Sequence, residues 1–417
     1  MRSRSTGRGV RRPLPLLVLG LGAALCLPAA AQAGALARAL DHLAARQDPA
    51  GGGFAVGPGT DPTYTEWAAL AVAAAGEDTR RWRRGRASLR AALVRPMEGT
   101  TLAEVERAAV ALAAAGLDPR VATDRNLVRE VLQAQRTDGT IGPDPSTTAW
   151  GILALTSGGL GRDSRAVSDA AEALRRIQRP DGGWALNDAD PRSGPNTTAA
   201  AIQALIAAGH DAEGSFTLRR ARLFLLSAQN ADGGFPPVVG GPSTALTTAW
   251  VSLSIRALGE RGSRAPWDRA GGPLAYLRSL QRPDGGVRNA AEATEASVWA
   301  TSQAALAFSG KYLPHRRLVP RPVPLRAPWV VSRPPVRAGG LVLRFRDDPG
   351  GTGVDPAAVR LRVAGRDVTS RAVVTSAGLR LPGSLVPRGR PTASLVLADR
   401  AGNGRAIRWR LIAPPDR

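Results

Sequence analysis

The stretch Gln178-Arg-Pro-Asp-Gly-Gly-Trp184 decides the fold, because near-copies of it recur along the chain. The steps between successive copies are 88, 43, 51 and 52 residues, and the first step is close to double the second. A regular period of roughly 20 to 50 residues is typical of repeat architectures. Counting a worn copy near residues 94–99, the pattern predicts six repeats, with the other copies beginning at Gln47, Gln135, Gln229 and Gln281.

Each repeat has the same two parts. An amphipathic stretch precedes the glutamine, as in residues 167–177 and 218–228, and predicts a helix with one face in water. An alanine-rich run with few charges follows the glycines and predicts a more buried helix ending at a C-cap glycine. These second runs span residues 67–76, 106–116, 150–159, 199–209, 250–259 and 299–310.

Six such helix pairs predict a mainly α fold, an (α/α)6 toroid with an inner ring of alanine-rich helices and an outer ring exposed to water. An open solenoid is the alternative, because repeat proteins usually stack in a line. The threonine pairs 147–148, 197–198 and 247–248 occupy one register before the second helix. Threonine at such a position predicts an N-cap, whose hydroxyl accepts from the first turn of the helix.

The repeated motif itself predicts structure and no chemistry. Asp-Gly-Gly after a helix is a stop and turn, and the glutamine amide satisfies backbone groups at a neighbouring helix end. The aromatic residue covers this contact from water. The residues assigned to this structural role are Gln135, Asp138, Gln178, Asp181, Trp184, Gln229, Asp232, Phe235, Gln281 and Asp284.

The Gln-x-x-Asp-Gly-Gly-Trp/Phe units over residues 36–310 resemble the repeats of the terpenoid cyclase and protein prenyltransferase superfamily. The resemblance implies the toroid more strongly than an activity, since cobalamin-carrying proteins share the same ring. Zinc-dependent transfer would need Asp, Cys and His ligands. The only cysteine is Cys26, and His42, His210 and His315 have no metal-ligand spacing, so no metal and no cofactor are predicted.

Acid-initiated cyclisation would need an Asp-x-Asp-Asp motif and a cavity lined by aromatic rings. The nearest run is Asn187-Asp-Ala-Asp190, in a loop, and aromatic residues make up only 4% of the chain. The sequence therefore predicts no catalytic residue. Secreted glycosidases and lyases also use helical toroids and need paired carboxylates. The candidates for that alternative are Glu66, Glu104, Glu106, Glu292 and Glu295 at the starts of inner helices, and Asp188 and Asp190 in a loop.

If the ring closes, the N-terminal ends of its inner helices converge on one rim and favour an anionic or carbonyl-rich ligand. We therefore predict non-catalytic binding of a small molecule, lipid or glycan, with an enzyme acting on an isoprenoid or glycan second and a structural scaffold third. The candidate ligand-binding residues are Tyr64, Glu66, Glu104, Thr148, Asp188, Asp190, Thr198, Thr248, Glu295 and Trp299.

Both ends of the chain differ from the repeats. Residues 1–33 have an arginine-rich start, a short apolar run and an Ala-Gln-Ala end, which predict a signal peptide and a secreted protein with no transmembrane segment. The toroid is expected over residues 34–313, followed by a proline-rich linker over 314–328. Alternating strands over 329–417 predict a β-sandwich that resembles bacterial Ig-like domains, which attach proteins to surfaces such as the cell envelope.

The net charge of +22 raises the question of nucleic acid as a partner. The arginines are spread along every segment instead of forming one basic stripe with interleaved aromatic residues. We therefore predict no nucleic-acid binding, and a general attraction to anionic surfaces instead.

Overall fold

The computed structural model describes residues 23–55, 60–95, 97, 100–314, 328–331, 340–346, 354–399 and 404–411, with the backbone alone for 23–30. Residues 1–22 of the predicted signal peptide and residues 315–327 of the predicted linker lie outside this part. Within it, no helix is both long and apolar enough to cross a membrane.

Twelve α-helices occupy the first three quarters of the described chain, which confirms a mainly helical fold. They are α1 (Ala23–Arg46), α2 (Pro62–Ala74), α3 (Leu89–Leu93), α4 (Leu102–Ala114), α5 (Leu127–Gln133), α6 (Pro145–Ser157), α7 (Arg165–Arg176), α8 (Pro195–Ala207), α9 (Phe216–Ala228), α10 (Ala245–Ala257), α11 (Pro273–Ser279) and α12 (Val298–Phe308).

The even-numbered helices form a closed ring. Helices α2, α4, α6, α8, α10 and α12 contact one another in chain order, and α12 also contacts α2. The odd-numbered helices pack outside this ring: α3, α5, α7, α9 and α11 each contact the inner helix before them, and α1 contacts α12. Small residues allow this close approach, because the inner helices bury alanines such as Ala109, Ala154 and Ala201 completely.

The inner helices begin earlier than the sequence suggested. Prolines occupy the first turn of α2, α6 and α8, where the missing N–H is not needed. As a result Thr147 and Thr148 lie inside α6, and its N-cap is Asp144. The predicted N-cap role of the threonine pairs is therefore wrong. The predicted C-cap glycines do follow the helix ends, with positive φ at Gly76, Gly159 and Gly259.

The motif glutamines join neighbouring outer units through backbone carbonyls. Nε2 of Gln178 donates to Gly182 O at 2.8 Å, within its own turn, and to Thr217 O at 2.9 Å, in α9. Gln135 and Gln229 make the equivalent pairs of bonds to their own turn and to the next outer segment. Each glutamine thus links one repeat to the next.

Asp181 and Gly182 of the motif fix the conformation of its turn. Oδ1 of Asp181 accepts from Gly183 N and from Ser193 Oγ, both at 2.9 Å. Gly182 has φ of 91°, and a Cβ there would lie 2.5 Å from Arg220 O. Glycine is therefore required both for its conformation and for the close approach of α9. Trp184 is fully buried over this turn, and its indole Nε1 donates to Leu174 O at 2.8 Å.

The outer layer is completed by contacts between the last motif and α1. Nε2 of Gln281 donates to Ala35 O at 2.9 Å, and Asp284 Oδ2 lies 3.4 Å from Nδ1 of the buried His42. Among residues 31–46 of α1, whose side chains the structure describes, the first fully buried one is Ala35, the second residue of the expected toroid.

The C-terminal part is a small region of antiparallel sheet. Its strands are β1 (Trp329–Val330), β2 (Leu341–Arg346), β3 (Arg360–Val363), β4 (Arg366–Asp367), β5 (Val373–Thr375), β6 (Gly378–Leu381), β7 (Thr392–Ala398) and β8 (Gly404–Arg410). They form two four-stranded sheets, in the orders β1-β2-β6-β5 and β4-β3-β7-β8. Alternate residues such as Leu343, Leu361 and Leu395 share one core between the sheets. One ion pair, Arg129 with Asp355 at 2.7 Å, joins this region to α5.

Candidate functional site

The sixth residue of each inner helix lies at one level of the ring. Three of these residues are tryptophans: Trp67 on α2, Trp150 on α6 and Trp250 on α10. Their ring centroids are 5.9, 5.6 and 5.3 Å apart, with edge-to-face angles of 80° to 85°. Because alternate helices supply the three indoles, they meet at the axis and fill the middle of the ring.

Two more aromatic rings lie nearer the N-terminal ends of the inner helices. The rings of Tyr64 and Trp299 are in edge contact, with centroids 6.0 Å apart, and both side chains are half-buried. Trp150 is also half-buried, whereas Trp67 and Trp250 are only 4% and 8% exposed. We call these five side chains the aromatic mouth: Tyr64, Trp67, Trp150, Trp250 and Trp299.

The opposite side of the ring is closed by the chain that leaves α12. Leu313 is fully buried, and its backbone N–H donates to Oε1 of Gln203 on α8 at 2.9 Å. This segment therefore crosses the interior from α12 to α8. Together with the three tryptophans, it occupies the hole that an empty toroid would have.

A buried ion pair lies beside the aromatic mouth. Glu66 on α2 is 4% exposed, and its Oε2 accepts from Nε of Arg107 on α4 at 2.7 Å. Arg107 occupies the same level as Trp67 and also donates to Thr63 Oγ1 at 3.1 Å. Burial raises the pKa of Glu66 to about 7, although Arg107 favours the ionised form and opposes the shift. Glu66 can therefore gain or lose a proton near neutrality.

Glu106 is a buried acid without a partner in the described part of the chain. Its side chain is fully buried, and neither carboxyl oxygen accepts or donates a hydrogen bond there. Burial raises the pKa of Glu106 well above its ordinary value, which favours the protonated form of the carboxyl. Ala149 on α6 and Ala199 on α8 occupy the equivalent helix position. A carboxyl retained at such a position is a candidate for function, because it lowers stability.

Three predicted ligand-binding threonines serve the scaffold. Thr148, Thr198 and Thr248 are fully buried. Their hydroxyls accept from the backbone N–H of the last motif residue at 2.9 to 3.1 Å, which ties each motif turn to an inner helix. Thr65 and Thr301 make the same contact, so the first and last units share this register.

The remaining predicted residues do not join the aromatic mouth. Glu104 forms a capping box with Thr101, whose hydrogen bonds lower the pKa of this carboxyl. Asp188 and Glu295 are exposed in loops, and Asp190 accepts from Arg192 N within its own turn. Side chains such as Asp61, Thr101 and Thr244 already cap the inner helices. These caps leave fewer free N–H groups than the predicted anion-binding rim would need.

Two residues of the aromatic mouth, Tyr64 and Trp299, are among the ligand-binding residues predicted from the sequence. The sequence analysis misses the three tryptophans at the axis, because the low aromatic content argues against a cavity lined by aromatic rings. Trp67, Trp150 and Trp250 each stand two residues after a threonine of the shared register, and this spacing was the available signal. Among the described residues, no group of three or more His, Cys, Asp or Glu side chains is arranged to hold a metal ion.

Comparison with known proteins gives partial similarities. No family model matches the chain. Drimenyl diphosphate synthase from Streptomyces showdoensis is 34% identical over 149 residues, which cover 33% of this chain and 26% of that protein. The chain thus spans about a quarter of the length of that curated relative.

Solved structures with a similar helical part include terpene cyclases and glycosidases. The ent-copalyl diphosphate synthase from Streptomyces platensis is 20% identical, with a TM-score of 0.41, covering 60% of this chain and 49% of that one. A type II terpene cyclase from Scytonema is 15% identical, with a TM-score of 0.46 and coverage of 68% and 98%. The unsaturated glucuronyl hydrolase from Bacillus sp. GL1 is 15% identical, with a TM-score of 0.47 and coverage of 66% and 96%.

Proposed function

We propose that the helical domain binds a ligand with apolar faces at the aromatic mouth. The observation that carries this proposal is the convergence of five aromatic side chains from four inner helices at one end of the ring. Aromatic side chains combine a large apolar surface with rigid geometry, so they bind apolar ligands at a low entropic cost. Three of the five are half-buried and present ring surface to an incoming ligand.

An isoprenoid is the ligand class that we favour. The relative with 34% identity is a drimenyl diphosphate synthase, which supports an isoprenoid over other apolar ligands. The middle of the ring is filled by Trp67, Trp250 and Leu313, each of which is less than a tenth exposed. A ligand therefore either rests on the aromatic mouth or displaces Tyr64 and Trp299. Non-catalytic binding of this kind requires no deeper cavity.

Tryptophan fluorescence tests this proposal with the C15 alcohol farnesol as the probe. Titration of the full chain should quench or shift the emission in a saturable way. Trp299→Ala should weaken binding by about tenfold, because losing one aromatic contact costs roughly 0.5–1.5 kcal/mol beyond its buried area. Trp409→Phe, in β8 of the sheet region, is the matched control and should bind farnesol like wild type. Equal binding by both variants would contradict a site at the aromatic mouth.

A second candidate is acid-initiated chemistry on an isoprenoid alkene, and Glu106 is the observation that favours it. A desolvated carboxyl on an inner helix, with a pKa raised by burial, is suited to act as a general acid, and aromatic faces stabilise cations. Products extracted after incubation with farnesyl diphosphate and analysed by gas chromatography and mass spectrometry test it. Wild type should yield a cyclised product that Glu106→Gln does not, and unchanged substrate with wild type would leave binding alone.

We also propose, from the sequence, how the protein is exported, how many repeats it has and what its C-terminal module does. The protein is exported after cleavage of residues 1–33, consists of six helix-pair repeats, and carries an Ig-like module that attaches it to the cell envelope. The arginine-rich start and apolar run of residues 1–33 support export, the ring of six inner helices supports the repeat number, and the two four-stranded sheets support the Ig-like module. N-terminal sequencing of protein recovered outside the producing cell should begin at Gly34. A sequence beginning at Met1 would contradict export by signal cleavage.

A further inference from the structure

The end of the ring opposite the aromatic mouth carries a cavity of about 720 Å³. It is lined by the C-terminal ends of α2 and α4, at Ala74 and Ala114, and by three cationic side chains: Arg80, Arg90 and Lys311. Lys311 is the only lysine of the whole sequence, and the fold brings it beside arginines more than 200 residues away. A second cavity of about 490 Å³ shares Lys311 and adds Arg256.

The chain that leaves α2 extends this positive charge away from the cavity. The segment Arg80-Arg-Trp-Arg-Arg-Gly-Arg86 contains five arginines, and all five are exposed. Only Arg80 and Arg90 line the cavity, so the others continue along the surface beside it. We call this segment, residues 80–86, the arginine strip.

Most of these cations lack an acidic partner. The acidic residues lining the larger cavity are Glu77 and Asp78, and Asp78 is paired with Arg80 at 2.9 Å. Arg81, Arg83, Arg86, Arg90 and Lys311 form no ion pair with any residue that the structure describes. Arg84 uses its guanidinium to donate to Ala45 O at 2.8 Å. The strip therefore presents the guanidinium groups of Arg81, Arg83 and Arg86 to oxyanions, which they match in bidentate geometry. The cavity adds Arg90 and the ammonium group of Lys311.

We propose that the cavity and the arginine strip together bind an acidic polysaccharide. The cavity has the size of a small-molecule site, which suits one or a few charged sugar units. The strip lies outside the cavity, so a ligand that uses both must extend beyond it and carry repeated negative charges. A polymer with a carboxylate on successive units meets both conditions.

Nucleic acid fits this surface less well. Single strands bind by stacking their bases on aromatic side chains along a basic groove. Trp82 is the one aromatic residue of the strip, and it is turned inward: it packs on the helical core, and its indole nitrogen is buried. The strip therefore contacts anionic groups without a platform for bases.

The single lysine allows a direct test on the unmodified full chain. An amine-acylating reagent can modify only Lys311 and the N-terminal amine, and peptide mass spectrometry reports each separately. Bound oligogalacturonate should lower the labelling of Lys311 in proportion to the fraction of protein bound and leave the N-terminal labelling unchanged. A neutral dextran oligomer should protect neither amine. Unchanged labelling of Lys311 at saturating oligogalacturonate would overturn the cavity as part of the site.

Two matched triple variants separate this site from the effect of net charge. Arg81→Gln, Arg83→Gln and Arg86→Gln together should weaken oligogalacturonate binding by at least about tenfold, since three exposed charge contacts are lost. The control replaces the exposed Arg362, Arg366 and Arg380 of the sheet region by Gln, removes the same charge, and should change affinity by less than about twofold.

Three outcomes would overturn the proposal. Equal weakening in both triple variants would mean that bulk charge alone attracts the polymer. Dextran binding as tight as that of oligogalacturonate would remove the role of the carboxylates. Tighter binding of a single-stranded oligodeoxynucleotide than of oligogalacturonate would assign the surface to nucleic acid.

Discussion

Replacing Glu106 by Met should stabilise the helical domain, although the substitution lies on an inner helix where most changes destabilise. The Glu106 side chain is fully buried, and neither of its oxygens has a hydrogen-bond partner in the described chain. A buried polar group left unsatisfied costs about 1–3 kcal/mol. Methionine has a similar length, no polar oxygen and a high helix propensity, so Glu106→Met should recover that free energy.

The gain should also depend on pH. Burial raises the pKa of Glu106 well above 4.5, so the folded state keeps a proton that the unfolded chain releases above this value. The contribution of this acid to stability is therefore fully present below the unfolded pKa and is lost as the pH rises toward the folded one. Since one proton of difference corresponds to about 1.4 kcal/mol per pH unit, the advantage of Glu106→Met should grow by up to that slope as the pH rises from 4.5 toward the folded pKa.

Urea unfolding followed by helical circular dichroism at several pH values measures this effect. Glu106→Gln is the matched control, because it removes the proton equilibrium but keeps a buried polar group. The free energy of unfolding of Glu106→Gln should therefore lie below that of Glu106→Met by an amount that does not change with pH. Two results would refute the reasoning: a free energy of unfolding that falls equally in both variants, or a difference between wild type and Glu106→Met that stays flat across the pH range.

Three further predictions follow from the motif and from the ion pair. Gly182→Ala should destabilise the chain by more than about 2 kcal/mol, since φ is 91° and the new Cβ would lie 2.5 Å from Arg220 O. Gly259→Ala, with φ of 80° but open space around the new Cβ, should cost only about 1 kcal/mol. Equal shifts of the thermal midpoint in the two variants would contradict the close approach at Gly182. Gln178→Ala should cost about 1–3 kcal/mol in urea unfolding, because Gly182 O and Thr217 O lose their donor, and an unchanged midpoint would show that the link is dispensable. The infrared band of the protonated Glu66 carboxyl should disappear as the pH rises, with a midpoint at about pH 7, and should be missing in Glu66→Gln. A midpoint of roughly 4 to 5, the ordinary range for glutamate, would mean that the ion pair with Arg107 outweighs burial.

The repeat pattern predicted the helical fold because its signals are local. Asp181 and Gly182 specify a turn through their own chemistry, and Gly76 and Gly259 end helices through positive φ. Alanine-rich runs indicated which helix of each pair is buried. These features depend on neighbours in the sequence, so the sequence alone reveals them.

The helix starts were harder to predict, because two features compete there. Pro145 at the first turn and Asp144 at the N-cap move the start of α6 ahead of the threonines. The repeated spacing of the threonines instead reflects a tertiary contact. The hydroxyls of Thr148 and Thr301 accept hydrogen bonds from the backbone of a motif turn. A shared register therefore marked a contact between elements and not a helix end.

The site residues depend on contacts that no local pattern contains. The three tryptophans meet because alternate helices of a closed ring point to one axis. Lys311 reaches Arg80 and Arg90 only through ring closure, and only the fold shows that both carboxyl oxygens of Glu106 are buried without a hydrogen-bond partner among the described residues. The spread of arginines along the sequence argues against one basic stripe for nucleic acid and predicts only a general attraction to anionic surfaces, whereas the folded chain places the arginine strip beside a cavity.

The indole N–H signals of the nine tryptophans test the central claim most directly, since each can be assigned by substitution and followed by NMR during titration with farnesol. Ligand binding at the aromatic mouth predicts shifts for Trp67, Trp150, Trp250 and Trp299. Trp184, buried in a motif turn, and Trp409, in the sheet region, should not move. Shifts confined to Trp184 or Trp409, or no shift at saturating ligand, would contradict the assignment of function to the aromatic mouth.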